Sequence, residues 1–358
     1  MKLISRKKES YRVSESFDRY LRSFNRGCRL PVQYEDLLRF SESFSLFDKK
    51  GDDTLWVTVN YSHGDRSEVY SGLLQIYAFL RADGNLDLCK HLIVDRVDLC
   101  LYGNTKPFRV RIMNTINDNF DYFYVKEADA SRIYGLELEH ILSPNRIGFM
   151  YFENTLIEDH IYGIPGDTFV DTHIKTENCN KVRVAKEFVK FNERCFIRLL
   201  GDMHAANFVV DITMDFEENF YRIRAIDFDQ QSYEPNKKVY LPQFFVQNSE
   251  YVKLAMDRLD PETVGQYKNE ERALIKRRIN SSTYRLKALL EVMKQDELAP
   301  FSNVESLRSQ LAEYYDNDGF LKCSSMGSLV EKSLSLVEKS ESYICLLYTS
   351  PSPRDGLL

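Results

Sequence analysis

Gly201-Asp-Met-His-Ala-Ala-Asn207-Phe208, followed about 20 residues on by Ile226-Asp-Phe-Asp229, is the stretch on which the reading of this chain turns. Runs rich in branched and aromatic residues surround both clusters: Phe196-Ile-Arg-Leu-Leu200, Phe208-Val-Val-Asp-Ile212 and Tyr221-Arg-Ile-Arg-Ala-Ile226. They predict three short strands bracketing two polar loops. Asp202 and Asn207 then share one loop, and Asp227 follows the end of a strand. His204 reads as a structural residue that hydrogen-bonds within its loop, and His63, His91, His140 and His173 have no partners at metal-ligand spacing.

Upstream, the segment from His91 to Glu127 has the composition of a β-meander. Leu92 to Leu101, Phe108 to Met113 and Tyr122 to Val125 are separated by Tyr102-Gly-Asn-Thr-Lys-Pro107 and by Asn114-Thr-Ile-Asn-Asp-Asn119, which predicts three antiparallel strands joined by hairpins. Asp129 can cap a helix that runs to about Leu142, where Ser143-Pro144 ends it. Two more strands are expected near Ile147 to Phe152 and Leu156 to Tyr162, leading into Gly163-Ile-Pro-Gly-Asp167. Helical text continues at Val182 to Arg194, Phe245 to Arg258, Glu270 to Lys294, Val304 to Tyr315 and Met326 to Lys339. Before the meander, Glu9 to Ser43 reads as mostly helical, with Phe17, Tyr20, Leu21 and Phe24 at helix spacing. Thr54 to Asn60 is β-rich, and Ser67 to Arg81 is an amphipathic helix. Residues 1–90 are expected to be an extension packed on the strands that begin near His91.

Composition narrows the field. The chain has 358 residues, 43% hydrophobic, with 45 Tyr plus Phe, so it can bury a sizeable core and is not a low-complexity chain. Lys plus Arg total 48 against 54 Asp plus Glu, a net charge of -6 that disfavours nucleic acid as the main partner. Every apolar run is broken by charge well short of the roughly 20 residues a membrane helix needs, and no secretory signal is visible. The seven scattered Cys fit reduced thiols, hence an expected cytoplasmic setting without a membrane partner.

The two clusters together resemble the protein-kinase-like superfamily, and within it the aminoglycoside and choline phosphotransferase branch. There an Asp, four residues and an Asn form the catalytic loop, and an Asp after the next hairpin binds the metal. The resemblance covers roughly 91–240. It implies an α+β, two-lobed protein-kinase-like fold: a five-stranded antiparallel N-lobe with one helix at 91–162, and a mainly helical C-lobe at 163–344. It also implies ATP and Mg as cofactors, Asp202 as catalytic base, and Asn207 and Asp227 as metal ligands. Phosphoryl transfer needs a carboxylate for the acceptor hydroxyl's proton and hard oxygen ligands for Mg²⁺ on the ATP phosphates, which suits these residue types. Tyr122-Phe-Tyr-Val-Lys126, a strand ending in lysine before a helix, resembles the phosphate-binding lysine strand. On that helix, Ala130, Ile133, Tyr134 and Ile141 share one stripe at about 100° per residue. Glu137 falls inside the stripe and Glu139 on the opposite side. A Lys126–Glu137 pair is therefore expected, with Glu139 the other candidate. Leu156-Ile-Glu-Asp-His-Ile-Tyr-Gly-Ile-Pro-Gly166 resembles the inter-lobe hinge, with the backbone near His160 and Ile161 offered to adenine.

Several features depart from the family. Gly103-Asn104-Thr105 stands alone where a Gly-x-Gly-x-x-Gly phosphate loop is usual. Leu200 precedes Gly201 where His is common, and Asp229 replaces the Gly that comes after Asp-Phe in protein kinases. No Ala-Pro-Glu is found beyond it. These shift the expected acceptor from protein toward a hydroxyl-bearing small molecule. Gly201-Asp-Met-His204 also resembles the opening of metallophosphoesterases, but their later Gly-Asp-x-x-Asp and Gly-Asn-His are missing. A non-catalytic kinase-like binding module and a kinase-fold enzyme transferring AMP are the remaining alternatives. Finally, Cys345-Leu-Leu-Tyr-Thr-Ser-Pro-Ser-Pro-Arg-Asp355 resembles a translated sequencing adapter. Residues 345–358 are therefore set aside as an artefactual tail, with the native C-terminus expected to be missing.

Overall fold

In the computed structural model, which describes residues 8–48, 50–103, 105–177, 179–214 and 219–339, a two-residue alternation sets the larger sheet. Along Phe108–Asn114, Phe108, Val110 and Ile112 are buried while Arg109 and Arg111 point to the other face. The suspect tail with its Cys345, and Asn104 of the Gly103 loop, lie outside the described residues.

β1 (Glu42–Phe47), β2 (Asp53–Asn60), β3 (Leu92–Cys100), β4 (Phe108–Asn114), β5 (Phe120–Glu127), β6 (Phe149–Phe152) and β7 (Thr155–Asp159) form one antiparallel sheet. Its order is β1-β2-β3-β4-β5-β7-β6. The expected five-stranded sheet is thus a seven-stranded one. The β-rich run of the extension pairs Trp56 with Cys100, Val57 with Leu99 and Thr58 with Asp98, covering the β3 edge that a five-stranded sheet would leave open. A second, three-stranded antiparallel sheet has the order β10-β9-β8, from β8 (Ile164–Pro165), β9 (Phe208–Met214) and β10 (Asn219–Ala225).

The α-helices are α1 (Glu15–Ser23), α2 (Tyr34–Leu37), α3 (His63–Arg81), α4 (Ala130–Leu142), α5 (Gly166–Phe169), α6 (Lys181–Arg198), α7 (Ser249–Arg258), α8 (Pro261–Ser281), α9 (Thr283–Gln295), α10 (Phe301–Tyr315) and α11 (Met326–Lys339). Among the described residues none is long and apolar enough to cross a membrane. The result is a mixed α/β molecule with a large antiparallel sheet and a mainly helical second half.

Three local expectations change. Phe196 to Leu200 is not a strand: α6 runs through Arg198, because Phe188, Phe191, Cys195 and Phe196 keep helix spacing and are all buried. Leu199, in the left-handed conformation at φ 56°, ends the helix, and Leu200 makes a single bridge to Gln231. Glu270 to Lys294 is two helices, since α8 stops at Ser281 and α9 starts at Thr283. Glu9 to Ser43 holds only α1 and the one-turn α2 before β1 begins.

Two apolar cores sit on the two faces of the sheet. Val69, Leu73 and Ile76 of α3 pack with Val110, Phe123, Val125 and Ile157. On the other face Leu156, Tyr151 and Phe149 join α4, α1 and the helices of the second half. Helix α4 is therefore enclosed, with His140 as its single residue that is not buried. Phe17 of α1 stacks on Tyr134 of α4 with ring centroids 3.8 Å apart and planes within 2°. Both rings are fully buried, so Phe17→Ala is expected to lower unfolding stability by about 3–5 kcal/mol, measured by chemical denaturation.

Candidate functional site

Register places the first candidate side chains. Tyr124 pairs with Glu158 and Lys126 with Leu156 across β5 and β7, so all four share the face that meets α4. Lys126 Nζ then reaches diagonally to Glu158 Oε2 at 2.8 Å. Asp129 caps α4 by accepting from the Ser131 N–H, which fixes the helix start three residues beyond β5. The first turn therefore lies against Lys126, and it carries Arg132. The Arg132 guanidinium grips Glu158 through both Nε and Nη2, and its Nη1 donates to Asp227 Oδ1 at 2.8 Å and Asp229 Oδ1 at 2.7 Å.

The expected Lys126–Glu137 pair does not form. Glu137 lies five residues past Arg132, about 7.5 Å further along the axis, and faces α1 and α9 instead. It accepts from the Tyr20 hydroxyl at 2.7 Å and from Arg285 Nε at 2.6 Å, with Arg26 Nε 3.4 Å away. Glu139 does not take its place either. It is as buried as Glu137, because α4 is covered on all sides, and it pairs with Arg198 of α6. Both glutamates tie the enclosed helix to its neighbours.

Asp202, Asn207 and Asp227 come together through backbone bonds. Asp202 sits at φ 60°, a left-handed conformation that Asp tolerates better than most residues. Its N–H donates to the Val239 carbonyl at 3.1 Å, and its own carbonyl accepts from Asn207 Nδ2 at 2.8 Å and the His204 N–H at 2.9 Å. The Ile226 N–H donates to the Asn207 carbonyl at 3.0 Å, which sets Asp227 beside Asn207. Among the described residues nothing hydrogen-bonds to the Asp202 carboxylate or to Asn207 Oδ1. His204 serves its own loop, accepting from the Ala206 N–H at 3.3 Å.

The electrostatics are uneven. Burial and then Arg132 depress the Lys126 ammonium, while burial of Glu158 is outweighed by Arg132 and Lys126, which hold its carboxyl at about 2. Burial also opposes ionisation of Asp229, but Arg132 and Lys126 hold it below the ordinary range. Asp227 goes up, through burial and then the adjacent Asp229 charge. Burial, then Asp227, Glu234 and Asp229, push Asp202 up to about 7. When all ionise, Glu158, Asp227, Asp229 and Asp202 face only Lys126 and Arg132 within this group. Two negative charges are left over.

That surplus matches a divalent cation. Among the described residues no three His, Cys, Asp or Glu side chains are arranged to hold one. The donor set nevertheless fits Mg²⁺, which takes one or two protein oxygens and completes its shell with water and phosphate. Asp227 Oδ1 is held by Arg132 and by the Asp229 N–H, leaving Oδ2, and the Asn207 carbonyl takes the N–H of the preceding Ile226.

The other expected positions lie around this centre. Gly103 is in the β3–β4 loop, where an added Cβ would meet Pro107 Cδ at 2.9 Å. Thr105 of that loop lines a small cleft with Lys8 and Asp229. Ile161 is in the crossing between β7 and β8, half-buried against the second-half core. Gly163 in the same crossing, at φ 150°, passes so close to β9 that a Cβ would meet the Val209 side chain at 2.7 Å. Sequence reasoning misses Glu158 and Arg132: the alternation Leu156-Ile157-Glu158 puts Glu158 on the Leu156 face, and only the β5–β7 register makes that the Lys126 face. It misses Lys8 too, whose Nζ bonds Asp129 Oδ2 at 2.7 Å and the Asp229 carbonyl at 2.6 Å.

Comparison with known proteins adds little. No family model and no curated protein matches the chain. Among solved structures, the chain is similar to one described as "Titin kinase and its flanking domains", at 12% identity and a TM-score of 0.29. That match covers 78% of this chain and 64% of the other, so the chain spans less than two thirds of that structure. At this TM-score the likeness carries no weight for fold or function here.

The geometry has two measurable consequences. Glu158→Gln takes the carboxylate partner from buried Lys126 and from one side of Arg132 and is expected to cost about 3–5 kcal/mol of stability in chemical denaturation, whereas Glu137→Gln should destabilise through its lost contacts with Tyr20 and Arg285. Asp202 holds a proton in the folded chain that the unfolded chain releases at ordinary carboxylate pH. Stability should therefore fall as pH rises from about 4 to about 7. Melting curves of Asp202→Asn should lack that slope and show a gain over the parent at pH 8.

Proposed function

We propose that the chain is an ATP- and Mg-dependent phosphotransferase that moves the γ-phosphate to a hydroxyl, the acceptor being a small molecule. The observation that carries this reading is the convergence of Asp202, Asn207 and Asp227 on the Lys126–Glu158–Arg132 cluster, which carries a surplus of two negative charges when all four carboxylates ionise. A polyanionic nucleotide needs cations beside it, and the carboxylates of the cluster, when ionised, favour a divalent one.

In this reading Lys126, steadied by Glu158, faces the nucleotide phosphates as a point charge. Asp227 and Asn207 hold Mg²⁺, which when bound neutralises charge on the phosphate oxygens. Asp202, its backbone fixed and its carboxylate unbonded, accepts the acceptor hydroxyl's proton as the oxygen–phosphorus bond forms and the bond to the β-phosphate oxygen breaks, releasing ADP. Arg132 is a positioning residue that sets the Asp227 carboxylate. The Gly103 loop lies over the phosphates, and the backbone at His160 and Ile161 meets the base. Glu137 holds the helix rather than the lysine.

A second reading is a kinase-like module that binds without catalysis, and the grip of Arg132 on Asp227 is what favours it. A third, transfer of AMP, would use the same residues. A screen of hydroxyl acceptors with ATP labelled separately at the α and γ phosphates decides among them. Label should pass to product from the γ position alone. Label from the α position would mean nucleotide transfer, and neither label with no Mg-ATP thermal shift would mean a binding module. Asp202→Ala should lower turnover by about 10²–10⁴-fold while retaining ATP binding, and Asp227→Ala should weaken Mg-ATP binding itself, both read by calorimetry and initial rates.

A further inference from the structure

The helical half holds a cavity of about 320 Å³, at the lower end of the range for small-molecule sites, walled by Lys237, Lys238, Lys268, Glu193, Tyr314 and Phe244. Its charge is lopsided. Among the described residues no carboxylate lies within ion-pair distance of the three lysines, whereas Lys186 and Lys190 nearby share Glu270. The one acid in the wall, Glu193, is matched by Arg272 Nε at 2.6 Å. Aromatic rings, not carboxylates, hold two of the ammonium groups: Lys237 Nζ is 5.2 Å from the Tyr314 centroid and Lys238 Nζ 5.6 Å from that of Phe244.

The wall is also tied by hydrogen bonds to the loop of Asp202. Gln310 of α10 accepts from the Lys237 N–H at 3.2 Å and donates to the Pro235 carbonyl at 2.9 Å. Asn192, buried in α6, accepts from the Gln243 N–H at 2.8 Å. Next to the two lysines stands Val239, whose carbonyl takes the Asp202 N–H at 3.1 Å. One turn thus carries both the cationic wall and the anchor of the proposed base.

We infer that this cavity holds the phosphate end of a phosphorylated, hydroxyl-bearing small molecule of sugar size, which is the acceptor of the reaction. The acceptor role rests on the phosphotransferase reading, whereas the binding does not. Three lysines act as point charges on a phosphate dianion, and the Tyr314 and Phe244 rings leave an apolar surface for the carbon skeleton. The same charge repels a polycationic acceptor of the aminoglycoside kind.

The test is calorimetric titration of the full chain with glucose 6-phosphate, ribose 5-phosphate, glycerol 3-phosphate, their unphosphorylated parents and inorganic phosphate. At least one phosphorylated probe should bind more tightly than inorganic phosphate and its own parent. Lys237→Gln/Lys268→Gln should weaken it at least tenfold, and the exposed Lys238→Gln several-fold, while Lys287→Gln on a distant face of α9 changes nothing. Failure of every phosphorylated probe to bind, affinity no better than that of inorganic phosphate, or affinity that survives in the lysine variants overturns the site. A thermal shift with Mg-ATP on the same chain separates the two readings. Lysine-dependent probe binding with no Mg-ATP shift sinks the phosphotransferase reading and leaves the anion site standing.

Discussion

One buried carboxylate organises the centre of this molecule. Glu158, on β7, receives Lys126 from the adjacent strand and Arg132 from the first turn of α4, and through Arg132 it is linked to Asp227 and Asp229 just after β10. Lys126, Arg132 and Glu158 are all buried, so removing any one of them would leave a buried charge without its partner. Sheet, enclosed helix and aspartate loops are therefore held in one relative arrangement. The arrangement stays short of neutrality, which gives it a use for a further cation.

Arg132 gives this centre its particular character. A guanidinium that already bonds Asp227 Oδ1 and Asp229 Oδ1 keeps both carboxylates in place without a metal. It also shares the charge that a metal would neutralise, so a bound cation would redistribute charge here and not fill a bare acidic pocket. Lys8, bonded to Asp129 and to the Asp229 carbonyl, extends the same network to the start of the described chain. The extension is accordingly part of the structure around the site: its strands cover the β3 edge, and its α1 stacks on α4.

Much of the local structure was legible in the sequence. The strands at Leu92, Phe108 and Tyr122, the Asp129 cap and the helix to Leu142 come from alternation, turn residues and capping chemistry. The meeting of Asp202, Asn207 and Asp227 was legible because one loop and one hairpin join them. What could not be read were partners set by long-range packing. Helical periodicity singled out Glu137 as facing the core, but it could not say that α4 has a core on every side, nor that Tyr20 and Arg285 wait for that carboxylate. The lysine's partner depended on β5–β7 register, which no local pattern fixes. Phe196 to Leu200 misled because aromatic and branched residues suit a buried helix end as well as a strand.

The most direct test of the central claim is calorimetric titration of ATP into the unmodified chain, once with Mg²⁺ and once with EDTA. The proposed function predicts that ATP binds with Mg²⁺ and that binding is lost or strongly weakened in EDTA. Equal affinity in both, or no binding in either, would contradict it.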